Sequence, residues 1–73
     1  MQKFNNKEEA FDWMFNEAVK GEDCIDNERF AFQDDEEAMN IYENIRSSGC
    51  CGFFDEEIMV DNRLATIGCN FGH

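Results

Sequence analysis

The stretch FFDEEIMVDNRLATIGC (residues 53–69) has the pattern of a β-hairpin. Strand-like runs at Phe53–Asp61 and Arg63–Cys69 flank Asp61-Asn62, two residue types that tolerate the positive φ angles of a tight turn. If the turn is two residues long, period-two alternation places these side chains on one face: Phe54, Ile58, Val60, Ala65, Ile67, Cys69 and Phe71. Met59 and Leu64 then share the opposite face, which is either partly covered or an apolar binding patch.

An amphipathic helix is predicted upstream of this hairpin, over about residues 35–47. Its apolar stripe has members at i, i+3, i+4 and i+7: Ala38, Ile41, Tyr42 and Ile45. Asp34 followed by Glu37 has the spacing of a capping box at the helix start. Before this helix, Arg29–Gln33 alternates, with Phe30 and Phe32 on one face, and is predicted to be a short strand.

A first helix is predicted over about residues 6–20. Asn5 or Asn6 caps it, with Glu8 or Glu9 three residues later, and its apolar stripe consists of Phe11, Met14, Phe15 and Ala18. The predicted order is therefore α-β-α-β-β. We expect a single α+β domain spanning residues 1–73, with a three-stranded antiparallel sheet packed against two helices.

The charge of the chain is unusual for its length. Seventeen Asp and Glu against six Lys and Arg leave a net charge of −11 over 73 residues, whereas about 2–8 in magnitude is typical of a small soluble domain. This charge argues against direct binding to nucleic acid or to an anionic membrane, since both require cationic contacts. It favours a basic protein or ribonucleoprotein partner, and solubility alone is the other explanation.

Features of a membrane or secreted protein are missing from the sequence. No apolar run approaches the roughly 18 residues of a membrane span, and the N-terminal residues lack the apolar core of a signal peptide. We therefore expect a cytoplasmic protein, in the host cytoplasm if a phage encodes it. Four cysteines in a reducing compartment are expected to be thiols or metal ligands.

Cofactor and metal sites have weak support. Cys69 and His73 have a zinc-ligand spacing, with Cys50 and Cys51 as further candidates, but adjacent cysteines do not readily bind one tetrahedral ion. Small buried thiols are the simpler interpretation. The acidic segments lack the ligand spacing of a calcium loop, so no cofactor is predicted.

Catalysis is not predicted either. The single histidine is the last residue, no Ser or Cys has a base nearby in sequence, and no glycine loop is suited to a phosphate. A chain of this length also has little material for an enclosed pocket beside its core. We expect a binding protein, not an enzyme.

The distribution of acids indicates where a partner would bind. Residues 22–37 contain eight acids and one base, a net of −7, and a second cluster lies in the hairpin. The candidate contact residues are Glu22, Asp23, Asp26, Glu28, Asp34, Asp35, Glu36, Glu37, Asp55, Glu56, Glu57 and Asp61. A solvated face that protects the sheet edge is the competing interpretation. Trp13, Phe53, Met59 and Leu64 are candidate apolar contacts.

In size, charge and composition the chain resembles the small acidic phage proteins that inhibit bacterial defence, including anti-CRISPR and anti-restriction proteins. The resemblance involves no motif, so it assigns no functional residue. It implies a DNA-mimicking inhibitor that occupies the nucleic-acid site of a basic defence complex. The alternative is a small accessory or regulatory module that docks through an apolar sheet face, with or without zinc. The oligomeric state stays open.

Overall fold

The computed structural model describes residues 1–48 and 52–72, which form two helices and a four-stranded mixed sheet. The strands are β1 (Lys3–Phe4), β2 (Asp26–Phe32), β3 (Gly52–Val60) and β4 (Arg63–Phe71). The helices are α1 (Lys7–Trp13), which continues as a π-helical segment (Met14–Ala18), and α2 (Glu36–Ser48). The α+β class and both helices are as predicted.

The β3–β4 hairpin forms the centre of the sheet and confirms the predicted turn. Asp61 and Asn62 have φ angles of 51° and 61°, which is the positive pair that a two-residue type I′ turn requires. Val60 pairs with Arg63 next to the turn, and the antiparallel register continues without a shift to the far end of both strands. The predicted apolar face and the pairing of Met59 with Leu64 on the other face are therefore correct.

The predicted three-stranded antiparallel sheet is wrong, because a fourth strand precedes α1. The strand order is β1-β3-β4-β2, and β1 runs parallel to β3. The amide of Met59 donates to the carbonyl of Gln2 over 2.9 Å, and the amide of Asp61 donates to that of Phe4 over 3.0 Å. A strand of two residues has no measurable period, so the sequence pattern gave no signal for it.

The two helices cover opposite faces of the sheet. The connection from β1 through α1 to β2 crosses the whole sheet, and the connection from β2 through α2 to β3 returns in the other direction. Crossovers of one hand that run in opposite directions must lie on opposite faces. The β3–β4 hairpin is consequently packed between a helix on each side.

The larger part of the core lies between α1 and the predicted apolar face. Ala10, Met14 and Val19 are buried in one cluster with Ile58, Val60, Ala65, Ile67 and Cys69. The predicted α1 stripe is only partly correct, since Phe15 is 36% exposed and Val19 takes the buried position. The amide of Val19 donates to the carbonyl of Met14 over 2.9 Å, and this i→i+5 bond of the π-helical segment rotates the residues that follow it.

The N-terminus of α1 agrees with the predicted capping box. The Asn6 side chain accepts from the amide of Glu9 over 2.9 Å, while the Glu9 carboxylate accepts from the amide of Asn5 over 3.0 Å. One of the donors that a helix start leaves unpaired, the Glu9 amide, is satisfied in this way, and the Glu9 carboxylate also holds the residue before the cap.

The cap of α2 differs by one residue from the prediction. Asp35, not Asp34, accepts from the amide of Ala38 over 3.1 Å. The Asp34 carboxylate instead accepts from the Arg63 guanidinium of β4 over 2.7 Å. Arg63, which is distant in sequence, thus forms an ion pair with the residue that local spacing predicted to be the cap.

Asp35→Ala should lower the free energy of unfolding by about 1 kcal/mol, because the cap of α2 is lost. Asp34→Ala is the matched control, and it should cost less, since exposed ion pairs contribute only about 0.2–1 kcal/mol. Urea unfolding of both variants, followed by circular dichroism, measures the difference. A larger cost for Asp34→Ala would show that the ion pair to Arg63, and not the cap, holds the start of α2.

Candidate functional site

All twelve acidic residues predicted to contact a partner are exposed in the structure. They do not form one patch, however, because β2 divides the acidic segment 22–37 between the two ends of the sheet. A strand of seven residues separates its ends by about 23 Å. The acids therefore fall into groups at the two sheet ends and on the strands.

The densest group lies at the end of the sheet that carries the hairpin turn, and we call it the turn-end cluster: Asp34, Asp35, Glu36, Glu37 and Asp61. The loop between β2 and α2 reaches this end beside the start of β4, where the amide of Gln33 donates to the carbonyl of Leu64 over 2.9 Å. The ion pair between Asp34 and Arg63 connects the loop to the hairpin. The Arg63 guanidinium also lies 3.7 Å from the ring centroid of Phe32. Backbone bonds and this cation fix the cluster in place.

Within this cluster the carboxylates have different roles. Asp34 and Asp35 are engaged in the ion pair and the helix cap. In residues 1–48 and 52–72, no side-chain hydrogen bond or ion pair involves Glu36, Glu37 or Asp61. Those three carboxylates are available to a partner without loss of a structural contact.

The remaining predicted contact acids of the segment 22–37 lie toward the other end of the sheet. Asp26 pairs with Asn70 at the start of β2, and the carbonyl of Asp23 accepts from the amide of Gly72 over 2.8 Å. Glu22 and Glu28 lie near Cys69 and contribute to its electrostatic environment. This group is thus separated from the turn-end cluster, although the sequence places both in one run.

The acids of β3 lie on both faces of the sheet. Asp55 and Glu57 share the face covered by α2, whereas Glu56 lies on the α1 face opposite Ile67. The Asp55 carboxylate accepts from the Tyr42 hydroxyl over 2.6 Å and lies 3.5 Å from the Arg46 guanidinium. The Gln33 amide donates to Glu57 over 2.8 Å and to the Thr66 hydroxyl over 2.9 Å. Two of these three acids therefore also hold α2 and the end of β2 against the sheet.

The Tyr42–Asp55 hydrogen bond is the main polar contact between α2 and the sheet. Tyr42 is 1% exposed, and its ring lies edge-on to Phe53 at 5.9 Å. Burial raises the pKa of the Tyr42 hydroxyl well above its ordinary value, and the neighbouring Asp55 carboxylate raises it further. Gly68 leaves the space for this contact, because an added Cβ would clash with the Tyr42 hydroxyl and the Phe54 carbonyl. Sequence spacing gave no signal for this arrangement.

The predicted apolar contacts are divided between the two faces. Trp13 packs into the α1 side, at 5.5 Å from Phe4 and 6.1 Å from Phe54. Phe53 lies under Tyr42 on the other side. Met59 and Leu64 are paired on that same face, where Leu64 is 37% exposed. The structure thus leaves part of this face accessible and does not bring the four residues together.

The largest apolar exposure within α2 belongs to Ile41, which the periodicity predicted to be buried. Ile41 is 53% exposed. It lines a shallow groove of about 160 Å³ between α2 and β2, together with Arg29, Phe30, Ala38 and Tyr42. The apolar stripe of α2 is wider than the part of the sheet that the helix covers.

Three of the four candidate zinc ligands, Cys50, Cys51 and His73, lie outside the described residues. The fourth, Cys69, is buried in the core cluster. Burial raises the pKa of the Cys69 thiol, as do the nearby carboxylates of Glu28 and Glu22, which disfavours the thiolate that a metal binds. Across 1–48 and 52–72, no group of three His, Cys, Asp or Glu residues is placed to hold a metal ion.

Comparisons with protein-family models, curated proteins and solved structures found no match for this chain. Neither described helix combines the length and the apolar character needed to cross a membrane.

Tyr42→Phe should lower the free energy of unfolding at neutral pH by about 1.5–3 kcal/mol, because a hydrogen bond to a charged group is lost. The raised pKa also makes the stability of the wild type depend on pH. Above about pH 10 the unfolded chain loses the Tyr42 proton while the folded chain keeps it, so stability falls by up to about 1.4 kcal/mol per pH unit. Urea unfolding at pH 7 to 11 should show this extra fall in the wild type and not in Tyr42→Phe. Equal slopes for the two proteins would contradict the proposed state of Tyr42.

Proposed function

We propose that this protein is a stoichiometric inhibitor of the anti-CRISPR or anti-restriction kind. It binds a basic, nucleic-acid-handling bacterial defence complex and blocks the nucleic-acid site of that complex. The observation that carries the proposal is the exposure of all twelve predicted contact acids on a chain of net charge −11.

The charge density supports a comparison with nucleic acid. The molecule measures 34 × 26 × 17 Å, so its net charge corresponds to one negative charge per about 3 Å of its long axis. A DNA strand carries one per about 3.4 Å, and the duplex one per about 1.7 Å. Averaged along the long axis, the net negative charge of the protein is therefore similar to that of a single strand, and it attracts a basic groove.

Binding would proceed in two physical steps. Long-range attraction raises the encounter rate by about 10- to 1,000-fold at low ionic strength, and the contacts that are then desolvated fix the complex. Glu36, Glu37 and Asp61 suit the second step, because α2 and the hairpin turn hold their backbones. Little backbone conformational entropy is therefore lost when their carboxylates replace phosphates on the partner.

The exposed apolar side chains support a second candidate function. Ile41 and Leu64 suit an accessory or regulatory module that docks through apolar surface, with the charge serving solubility alone. Such a module would bind its partner with little dependence on salt, whereas the inhibitor depends strongly on salt.

Capture of the partner from bacterial lysate discriminates between the two functions. The tagged protein is incubated with nuclease-treated lysate, washed across a salt gradient, and its partners are identified by mass spectrometry. We expect a basic nucleic-acid-handling complex that elutes as salt rises. The purified complex should lose its nucleic acid in a mobility-shift assay at about one equivalent of this protein. A salt-resistant partner without a basic surface would instead establish the docking module.

Glu36→Gln combined with Glu37→Gln should reduce the association rate with the captured complex on the order of tenfold at low salt. The matched control is Asp12→Asn with Glu17→Gln, which removes the same charge from exposed positions of the first helix. Stopped-flow or surface binding kinetics at several salt concentrations measure both pairs. Equal losses in the two pairs would show that net charge, and not the turn-end cluster, governs binding.

A further inference from the structure

The outer edge of β3 is open over most of its length. β1 pairs only with Met59 and Val60, so β3 from Gly52 to Glu57 has β4 on one side and no strand on the other in residues 1–48 and 52–72. This open stretch lies on the same edge of β3 as β1 and begins where the pairing with β1 ends. Unpaired strand edges of this kind are templates for an additional strand.

The hydrogen-bond pattern identifies the groups that this edge offers. The amides of Met59 and Asp61 point outward to β1, and outward groups recur at every second residue of an antiparallel strand. The amides of Phe53, Asp55 and Glu57 therefore face the open edge, while those of Phe54 and Glu56 face β4. The edge presents regularly spaced donors and acceptors over about five residues, or roughly 17 Å.

The side chains along this edge determine which strand could pair with it. Asp55 and Glu57 flank it on one face and Glu56 on the other, and all three are exposed. A second copy of this chain is disfavoured, because two such edges would bring the same carboxylates together. A strand with basic side chains on alternate positions would instead place them all on one face of the sheet, opposite Asp55 and Glu57.

The free edge of β2 is less suitable. Its pairing with β4 is interrupted between Asp26 and Arg29, and Asn27 has a φ angle of 51°. The carbonyl of Phe32 already accepts from the amide of Asp35 over 3.0 Å. These features leave β2 a shorter and less regular edge than β3.

We propose that the open edge of β3 binds an extended basic segment of the partner as a fifth strand of the sheet. This inference rests on the proposed function and specifies how the partner is held. Lys or Arg side chains at alternate positions of the segment lie opposite Asp55 and Glu57, and an apolar side chain lies opposite Phe53 on the same face. Main-chain bonds supply affinity and the alternating charges supply selectivity, as in other cases of strand addition.

Amide hydrogen exchange with a synthetic peptide tests the proposal directly. The probe is an eight-residue peptide of alternating lysine and threonine with blocked ends, and exchange is followed by NMR on the full chain. We expect the amides of Phe53, Asp55 and Glu57 to exchange at least tenfold more slowly with the peptide, and those of Phe54 and Glu56 to change little. Peptide binding without this alternating protection would overturn the inference.

Glu57→Pro and Glu57→Ala separate the backbone from the side chain. Both substitutions remove the carboxylate and the hydrogen bond that it accepts from Gln33. Only proline also removes the amide that points to the open edge, and an edge strand tolerates proline at such a position. Peptide affinity should fall at least tenfold further in Glu57→Pro than in Glu57→Ala. Similar affinities in two folded variants would contradict strand addition. If Glu57→Pro does not fold, the exchange pattern of the wild type decides.

The experiments distinguish failure of this inference from failure of the proposed function. A basic complex captured from lysate, together with a peptide that leaves the three amides unprotected, would overturn strand addition alone. Alternating protection by the peptide, without a basic nucleic-acid-handling complex from lysate, would support the edge as a basic-strand site and overturn the inhibitor function.

Discussion

The register of the β3–β4 hairpin is the constraint on which the rest of the structure depends. Asp61 and Asn62 adopt the positive φ angles of a two-residue turn, and this fixes which side chains face α1 and which face α2. A slip of one residue would exchange the buried face, with Ile58 and Ile67, for a face that carries Asp55 and Glu57. Because β1 and β2 pair with the hairpin and both helices pack on it, each element takes its position from this turn.

The two sides of the sheet are held by different chemistry. The α1 side is an apolar cluster supported by aromatic contacts among Phe4, Trp13 and Phe54. The α2 side is partly polar, with a buried tyrosine bonded to Asp55 and a glutamine bonded to Glu57. A 73-residue chain has a small core, and these hydrogen bonds allow it to use both faces of one sheet.

The fold tolerates its charge because the acids occupy sheet ends, helix starts and strand edges. Each such position lies next to water, and several have a structural partner, such as Arg63 for Asp34 or an amide for Asp35. Structural roles and the proposed binding role therefore coexist on one surface. The acids without such partners, including Glu36 and Glu37, carry the interaction that we propose, and the acids of β3 border the open edge.

The sequence by itself determined the elements whose signals are local. Periodicity located both helices, and the alternation around Asp61-Asn62 gave the hairpin, its turn and its two faces, because these depend on residues close together in the chain. The net charge followed from the composition, and the exposure of the acidic side chains was expected from their polarity. Only the tertiary structure decided the rest. The strand β1 exists because the amides of Met59 and Asp61 donate hydrogen bonds to its backbone. Asp34 does not cap α2, because it forms an ion pair with Arg63, which is near it only in space. The division of the acidic segment 22–37, the exposure of Ile41 and the open edge of β3 likewise depend on how strands are ordered, which no local pattern encodes.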